Sequence, residues 1–279
     1  MKIVMHSYTF RTYSFEEAVR NAARFRWDGL ELQPCHFEPD RIETELPARI
    51  KVAAESNVTI DCVDFGGNFI ADEAEVVEAA VRQMERTIDA CASNGVHLVN
   101  GSVGSLFVNP MDFGKNGSAL AKDHHYERAA EAFRHLGPYA ARQGVCIVFE
   151  VHMNTLHDTL ASTARLLDLV ACDNVMANPD PGNMFATSTA EKDPEALELL
   201  AGRIGYFHFK NCMLHAGEYN YSVRLAEGHI DFYKWIQKLV RLGFDDRVCV
   251  EYCGAGDPRV AAQQDIDYLR KALDWARNS

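Results

Sequence analysis

Short apolar or β-branched runs alternate with longer helical patterns eight times along this chain, and no other feature restricts its fold as much. Strands separated each time by a helix-length crossover lie parallel, so the rhythm specifies a parallel sheet with helices packed outside it. Strands are expected at 2–6, 29–32, 58–63, 96–100, 145–152, 174–178, 204–210 and 247–252. Helices are expected from Ser14 onward, then at 47–56, 74–93, 126–143, 161–171, 194–202, 232–242 and 258–275. Ser14-Phe15-Glu16-Glu17 has capping-box spacing, and Gly95 supplies a stop after the third helix. Eight such units in 279 residues, with no Pro/Ser-rich linker, point to a closed (β/α)8 TIM barrel forming one domain over 1–279. An open doubly wound sheet is the alternative, but the first strand-to-helix turn, Tyr8 to Ser14, has neither a G-x-G-x-x-G nor a P-loop pattern.

Composition narrows the partners. A formal charge of −12 and a pI near 5.4, with no basic run, would repel both a nucleic-acid backbone and an anionic membrane surface. The eight cysteines lack C-x-x-C spacing, and several lie in apolar strand contexts, so they are expected as reduced core residues in a cytoplasmic protein. The N-terminus, Met-Lys-Ile-Val-Met-His, turns polar too soon for a signal peptide, and no apolar run reaches the ~18 residues of a membrane span. The expected partner is a small molecule; a homo-oligomer is compatible with the sequence.

Catalytic groups of such a barrel sit at the C-terminal ends of its strands, and side-chain alternation shows which of them face inward. Strand five, Val-Cys-Ile-Val-Phe-Glu-Val-His, puts Val148, Glu150 and His152 on one face. Strand six puts Met176, Asn178 and Asp180 together if the chain stays extended through Pro179, although Asp-Pro-Gly-Asn is also ordinary turn chemistry. Strand seven presents Tyr206, His208 and Lys210 inward, with Phe207 and Phe209 left for the helices. Strand eight places Glu251 between Cys249 and Cys253. Carboxylates ending apolar runs are costly unless paired or bound to a cation. Four successive strands ending in Glu150, Asp180, His208 and Glu251 therefore read as one divalent-metal site. Three carboxylates and one imidazole suit Mn²⁺ first, with Mg²⁺, Co²⁺ or Zn²⁺ as alternatives. Such an ion polarises a carbonyl and stabilises an enediolate, with Glu150 and Glu251 as the proton-transfer pair. The Gly- and Asn-containing segment 101–123 is long enough to be a lid.

At these residues the chain resembles the xylose-isomerase-like TIM-barrel superfamily of sugar isomerases, epimerases and lyases. The resemblance runs from Ser7-Tyr8-Thr9-Phe10 through Asp28-Gly29-Leu30-Glu31-Leu32 to Glu251, and is most specific at Phe149-Glu150-Val151-His152-Met153-Asn154-Thr155-Leu156, Asp180-Pro181-Gly182-Asn183 and Phe207-His208-Phe209-Lys210-Asn211. It implies that Glu150, Asp180, His208 and Glu251 are metal ligands, with Glu150 and Glu251 moving protons on opposite faces of the substrate. His6, Glu31, His152, Asn183 and Lys210 are then expected on the substrate side, with Arg224 reaching in from the loop that carries Gly228-His229-Ile230-Asp231. Many members have His where this chain has Asn183, and the further histidines of the multi-zinc endonuclease branch are missing. The stretch Glu150 to Leu160 also resembles bacterial 3-dehydroshikimate dehydratases. A metal-dependent isomerase or epimerase of a small hydroxy-carbonyl compound is thus the leading expectation. The alternatives are a lyase, either dehydratase or keto-sugar-acid decarboxylase, and a non-catalytic sugar-binding barrel.

Overall fold

The computed structural model describes residues 1–278. Six parallel strands, β1 (Lys2–His6), β2 (Gly29–Leu32), β3 (Ile60–Phe65), β4 (Leu98–Gly101), β5 (Cys146–Glu150) and β6 (Val175–Asn178), run in sequence order around a ring. β7 (Phe207–Phe209) and β10 (Arg247–Val250) complete it, β10 lying between β7 and β1. A parallel bridge between Ala177 and Ile204 links β6 to the approach to β7 and closes the barrel. Helices α1 (Phe15–Phe25), α2 (Ile42–Ala54), α3 (Ala74–Ser93), α4 (Asp123–Ala141), α5 (Leu160–Val170), α7 (Phe232–Arg241) and α8 (Pro258–Arg277) surround it. Among the described residues no helix is long and apolar enough to cross a membrane.

The alternation expected from sequence produces two cores. Val4, Cys62, Leu98, Val148, Tyr206 and Cys249 fill the barrel interior. Outward residues pack under the helices, as Phe207 does against Trp235 and Phe209 against Phe232. Of the eight cysteines, all reduced, Cys62, Cys91, Cys212 and Cys249 are buried as expected, whereas Cys35 is exposed.

Several boundaries differ from expectation for local reasons. Helix α2 starts at Ile42, so Pro47 lies inside it; burial of Ile42 and Leu46 outweighs the hydrogen bond that proline cannot donate. Segment 194–200 is a 3₁₀ helix capped by Asp193. A hairpin, β8 (Met213–His215) with β9 (Glu218–Asn220), rises after β7; its Ala216-Gly217 turn has both φ angles positive, as a tight two-residue hairpin requires. Asp180 caps a short helix, α6 (Pro181–Ala186), through its Oδ1, which accepts from Gly182 N at 2.8 Å and Asn183 N at 3.1 Å. The extended run therefore ends at the aspartate itself, and turn chemistry and site geometry coexist there.

Candidate metal centre and active site

The side chains facing inward at the C-terminal ends of the strands form two polar tiers. The lower tier is sealed. Glu31, fully buried, accepts from Gln33 Nε2 at 2.9 Å, Asn100 Nδ2 at 3.0 Å and His208 Nε2 at 3.0 Å. Asn178 Nδ2 donates in turn to Asn100 Oδ1 at 2.9 Å. Burial alone would raise the Glu31 carboxyl, but His208 and His6 outweigh it and hold it below its usual value. An ionised Glu31 only accepts, so His208 carries its proton on Nε2, a tautomer assigned from the network. Its Nδ1 then faces the upper tier.

In that upper tier Glu150, Asp180, His208 and Glu251 converge, with one potential ligand atom from each lying within 4.8 Å of the others. His208 Nδ1 is 3.7 Å from Glu150 Oε1 and, although buried, has no hydrogen-bond partner. Asn183 bridges two of the carboxylates, donating to Glu150 Oε1 at 2.8 Å and Asp180 Oδ2 at 2.9 Å. Lys210 Nζ lies 2.6 Å from Glu251 Oε2 and 3.1 Å from Asp180 Oδ2.

The electrostatics are those of a crowded anionic cluster. Burial and the neighbouring Glu150 and Glu251 raise Asp180, against the pull of Lys210. Burial would also raise Glu150 and Glu251, but His208 draws the first well below its usual value and Lys210 lowers the second. Burial would lower His208, yet Glu31 and Glu150 hold it well above the ordinary imidazole value. Three carboxylates around an unpartnered imidazole nitrogen, with that imidazole oriented from behind by a carboxylate, match what a divalent ion requires of its ligands and their supports.

A cavity of about 540 Å³ opens onto this tier and is lined by His6, Glu150, His152, Asn183, Lys210 and Glu251 among others. Within the tier exposure divides the four groups: the side chains of Glu150 and Glu251 are 12% and 10% exposed, whereas those of Asp180 and His208 are wholly buried. His6 sits beside Glu251, Nδ1 to Oε1 3.8 Å. His152 lies just beyond the end of β5, which stops at Glu150 rather than at 152.

Two expected substrate residues are placed elsewhere. Glu31 lies beneath His208 as its buried hydrogen-bond partner, and Gln33, two residues further along the same face, takes the cavity position. Arg224 is drawn to Glu227 and Gln264 and does not reach the cluster. The segment 101–123 is largely tied down rather than free. Leu106 N donates to Asn154 O at 2.8 Å, Val103 N to His157 Nε2 at 3.2 Å and Ser118 N to Asp158 Oδ1 at 3.3 Å, all on the turn after β5. Phe107, Val108 and Met111 stand exposed at its tip.

Sequence reasoning missed Gln33, Asp64, Ser102, Ser105, Tyr221 and Cys253, which also line the cavity. Asp64 was within reach of the alternation argument, since it follows the inward Cys62 by two, but a strand ended at Val63 hides it. Burial, with Glu31 and Glu150 nearby, pushes the Asp64 carboxyl well up. Tyr221 comes from the loop after the hairpin and has no periodic signal.

The fold and the site together define a closed parallel barrel with a carboxylate–imidazole cluster at its C-terminal mouth. The xylose isomerase-like TIM barrel family matches residues 19–272, and the chain belongs to that family. No functionally curated protein matches it by sequence. Among solved structures it is similar to D-psicose 3-epimerase from Clostridium cellulolyticum H10 with D-tagatose, at 17% identity and TM-score 0.78, covering 98% of this chain and 99% of that one. It is similar as well to the probable 3-DHS dehydratase AsbF of Bacillus anthracis, at 21% identity and TM-score 0.75, with 97% and 99% covered. A xylose isomerase-like TIM barrel protein from Mycobacterium smegmatis in complex with magnesium is 18% identical at TM-score 0.79, with 99% and 97% covered.

Proposed function

We propose that the chain is a divalent-metal-dependent isomerase or epimerase of a small sugar or hydroxy-carbonyl compound. The observation that carries this reading is the convergence of Glu150, Asp180, His208 and Glu251 at the mouth, where only the two glutamates have an edge on the cavity. These four residues would hold the ion, Mn²⁺ first, with Mg²⁺, Co²⁺ or Zn²⁺ as alternatives. When bound, it lowers the cost of negative charge on a substrate carbonyl oxygen.

The chain's own groups divide the remaining work. Asp180 and His208, shut off from the cavity, serve as ligands alone. Glu150 and Glu251 lie three positions apart around the ring, through β6 and β7, so they approach a substrate from different sides. One removes the proton from the carbon next to the carbonyl, giving an enediolate, and the other returns a proton to the opposite face, inverting that carbon. Both carboxyls are held low and are ionised at neutral pH, which is the state a base needs, so the glutamate that returns the proton first takes one from solvent at the cavity edge. Asn183 fixes Glu150 Oε1, and Lys210 compensates the charge on Glu251.

The test is product NMR in D₂O after incubating Mn²⁺-loaded protein with aldoses, ketoses and 3-dehydroshikimate. The proposal expects solvent deuterium at the carbon beside the carbonyl of an isomerised or epimerised sugar. Release of water with a conjugated, ultraviolet-absorbing product would make the protein a lyase, and no conversion of any substrate would make it a binder.

A further inference from the structure

Resting on the reading of the site as a sugar isomerase or epimerase, we infer that its substrate is an uncharged polyhydroxy carbonyl compound, with neither phosphate nor carboxylate. The inference comes from where the chain has already spent its anion-binding groups.

Barrels of this kind commonly bind phosphate on backbone N–H groups of the loops after their seventh and eighth strands. Here the loop after β7 is engaged from within, and the loop after β10 turns carbonyls toward an arginine. After β7, the Asn211 side chain turns back into its own loop, and its Oδ1 accepts from Cys212 N at 2.8 Å and Ile230 N at 3.0 Å. Its Nδ2 donates to Leu225 O at 2.7 Å and Ile230 O at 3.2 Å. Gly228 lets it do so, since a Cβ there would lie 2.0 Å from Asn211 Oδ1. Two N–H groups of this loop, Cys212 and Ile230, are thus held by an uncharged amide.

After β10, the Gly254-Ala255-Gly256 loop looks like a candidate cradle in sequence, yet it presents carbonyls to a cation. Arg11 Nη2 donates to Cys253 O at 2.8 Å and Gly254 O at 2.9 Å, with its guanidinium over the Tyr8 ring at 4.7 Å. The N–H groups of Gly182 and Asn183 at the start of α6 are likewise taken by Asp180 Oδ1.

Side-chain charge agrees. Among the described residues Lys210 is the one Lys or Arg lining the cavity, and its ammonium is enclosed by Glu251, Asp180 and the Tyr221 ring. A divalent ion and Lys210 together balance the three carboxylates Glu150, Asp180 and Glu251, leaving no uncompensated Lys or Arg among the residues that line the cavity. Around the rest of the cavity lie Gln33, Ser102, Ser105, Thr155 and the carboxyl of Asp64. Amides, hydroxyls and a carboxyl suit sugar hydroxyls, which both donate and accept, whereas a carboxyl beside a phosphate is repulsive or leaves a buried group unpaired.

Equilibrium binding to the full Mn²⁺-loaded chain tests this, by calorimetry or ligand-observed NMR, with unphosphorylated ketopentoses and ketohexoses, their phosphate esters, and 3-dehydroshikimate. The expected result is that at least one neutral ketose binds, and that its phosphate ester binds about 10-fold or more weakly, the penalty of placing like charges together. Tighter binding of an ester or of 3-dehydroshikimate than of every neutral sugar overturns the inference. So does failure of every neutral sugar to bind at millimolar concentration. Binding of a neutral ketose without deuterium exchange would defeat the isomerase reading and leave the inference standing, whereas exchange into a tightly bound phosphate ester would do the reverse.

Discussion

Replacing Glu31 by Gln alters the nitrogen of His208 that faces Glu150, Asp180 and Glu251, without touching the cavity. Glu31 receives three donors, from His208, Gln33 and Asn100, while a glutamine offers one accepting oxygen and one donating nitrogen. If the new NH₂ faces His208, Nε2 must become the acceptor and the proton moves to Nδ1, the atom that faces the other ligands. If it faces Gln33 and Asn100 instead, their donors lose their acceptor. The first arrangement competes directly with ion binding, and loss of such a supporting partner typically costs about 10–100-fold in metal affinity, or about 1.4–2.7 kcal/mol. The second costs about 1–3 kcal/mol of fold stability for an unsatisfied buried donor. The assay is a Mn²⁺ titration of dialysed protein by calorimetry, beside thermal unfolding of the metal-free form. A folded Glu31→Gln protein with wild-type Mn²⁺ affinity and wild-type stability would refute the role assigned to Glu31.

Glu150→Gln and Glu251→Gln should each keep measurable Mn²⁺ but lose about 100-fold or more of turnover; wild-type turnover with metal bound would reduce that glutamate to a ligand. Asn116→Ala removes hydrogen bonds to Val108, Asn109 and Asn154, so proteolysis within 107–113 should quicken while Mn²⁺ affinity holds, and an unchanged cleavage rate would show that Asn116 does not secure the loop. Burial pushes the Asp265 carboxyl up to about 7 against the hydrogen bond from Leu225 N. A raised folded value means that the unfolded chain loses this proton first, so the stability associated with it is present below pH ~4 and is lost as pH rises to ~7. Asp265→Asn, which keeps an acceptor for Leu225, should therefore be more stable than wild type at pH 8, by up to about 4 kcal/mol, and the difference should shrink toward pH 4; equal melting curves at both pH values would contradict this.

The barrel was legible in the sequence because each strand ends an apolar run whose inward and outward faces differ, as Tyr206 and His208 differ from Phe207 and Phe209. The convergence of Glu150, Asp180, His208 and Glu251 was legible for the same reason, since alternation and chain order place strand ends on one rim. Positions set by long-range hydrogen bonds were not. Nothing local tells Glu31 to serve His208, 177 residues away, or turns Asn211 into its own loop. Arg224 read as a substrate residue because its loop adjoins the mouth, but nearby Glu227 and Gln264 claim it. The segment 101–123 read as a lid because length alone shows no partners, while its partners lie on the turn 152–158.

Mn²⁺ titration of dialysed protein followed by pulsed electron paramagnetic resonance tests the central claim, that Glu150, Asp180, His208 and Glu251 share one ion. The account predicts a single high-affinity Mn²⁺ per chain coupled to one imidazole nitrogen, with that coupling lost in His208→Gln and affinity reduced in Asp180→Ala. A wild-type protein that binds no stoichiometric Mn²⁺, Mg²⁺, Co²⁺ or Zn²⁺, or whose nitrogen coupling survives in His208→Gln, would contradict it.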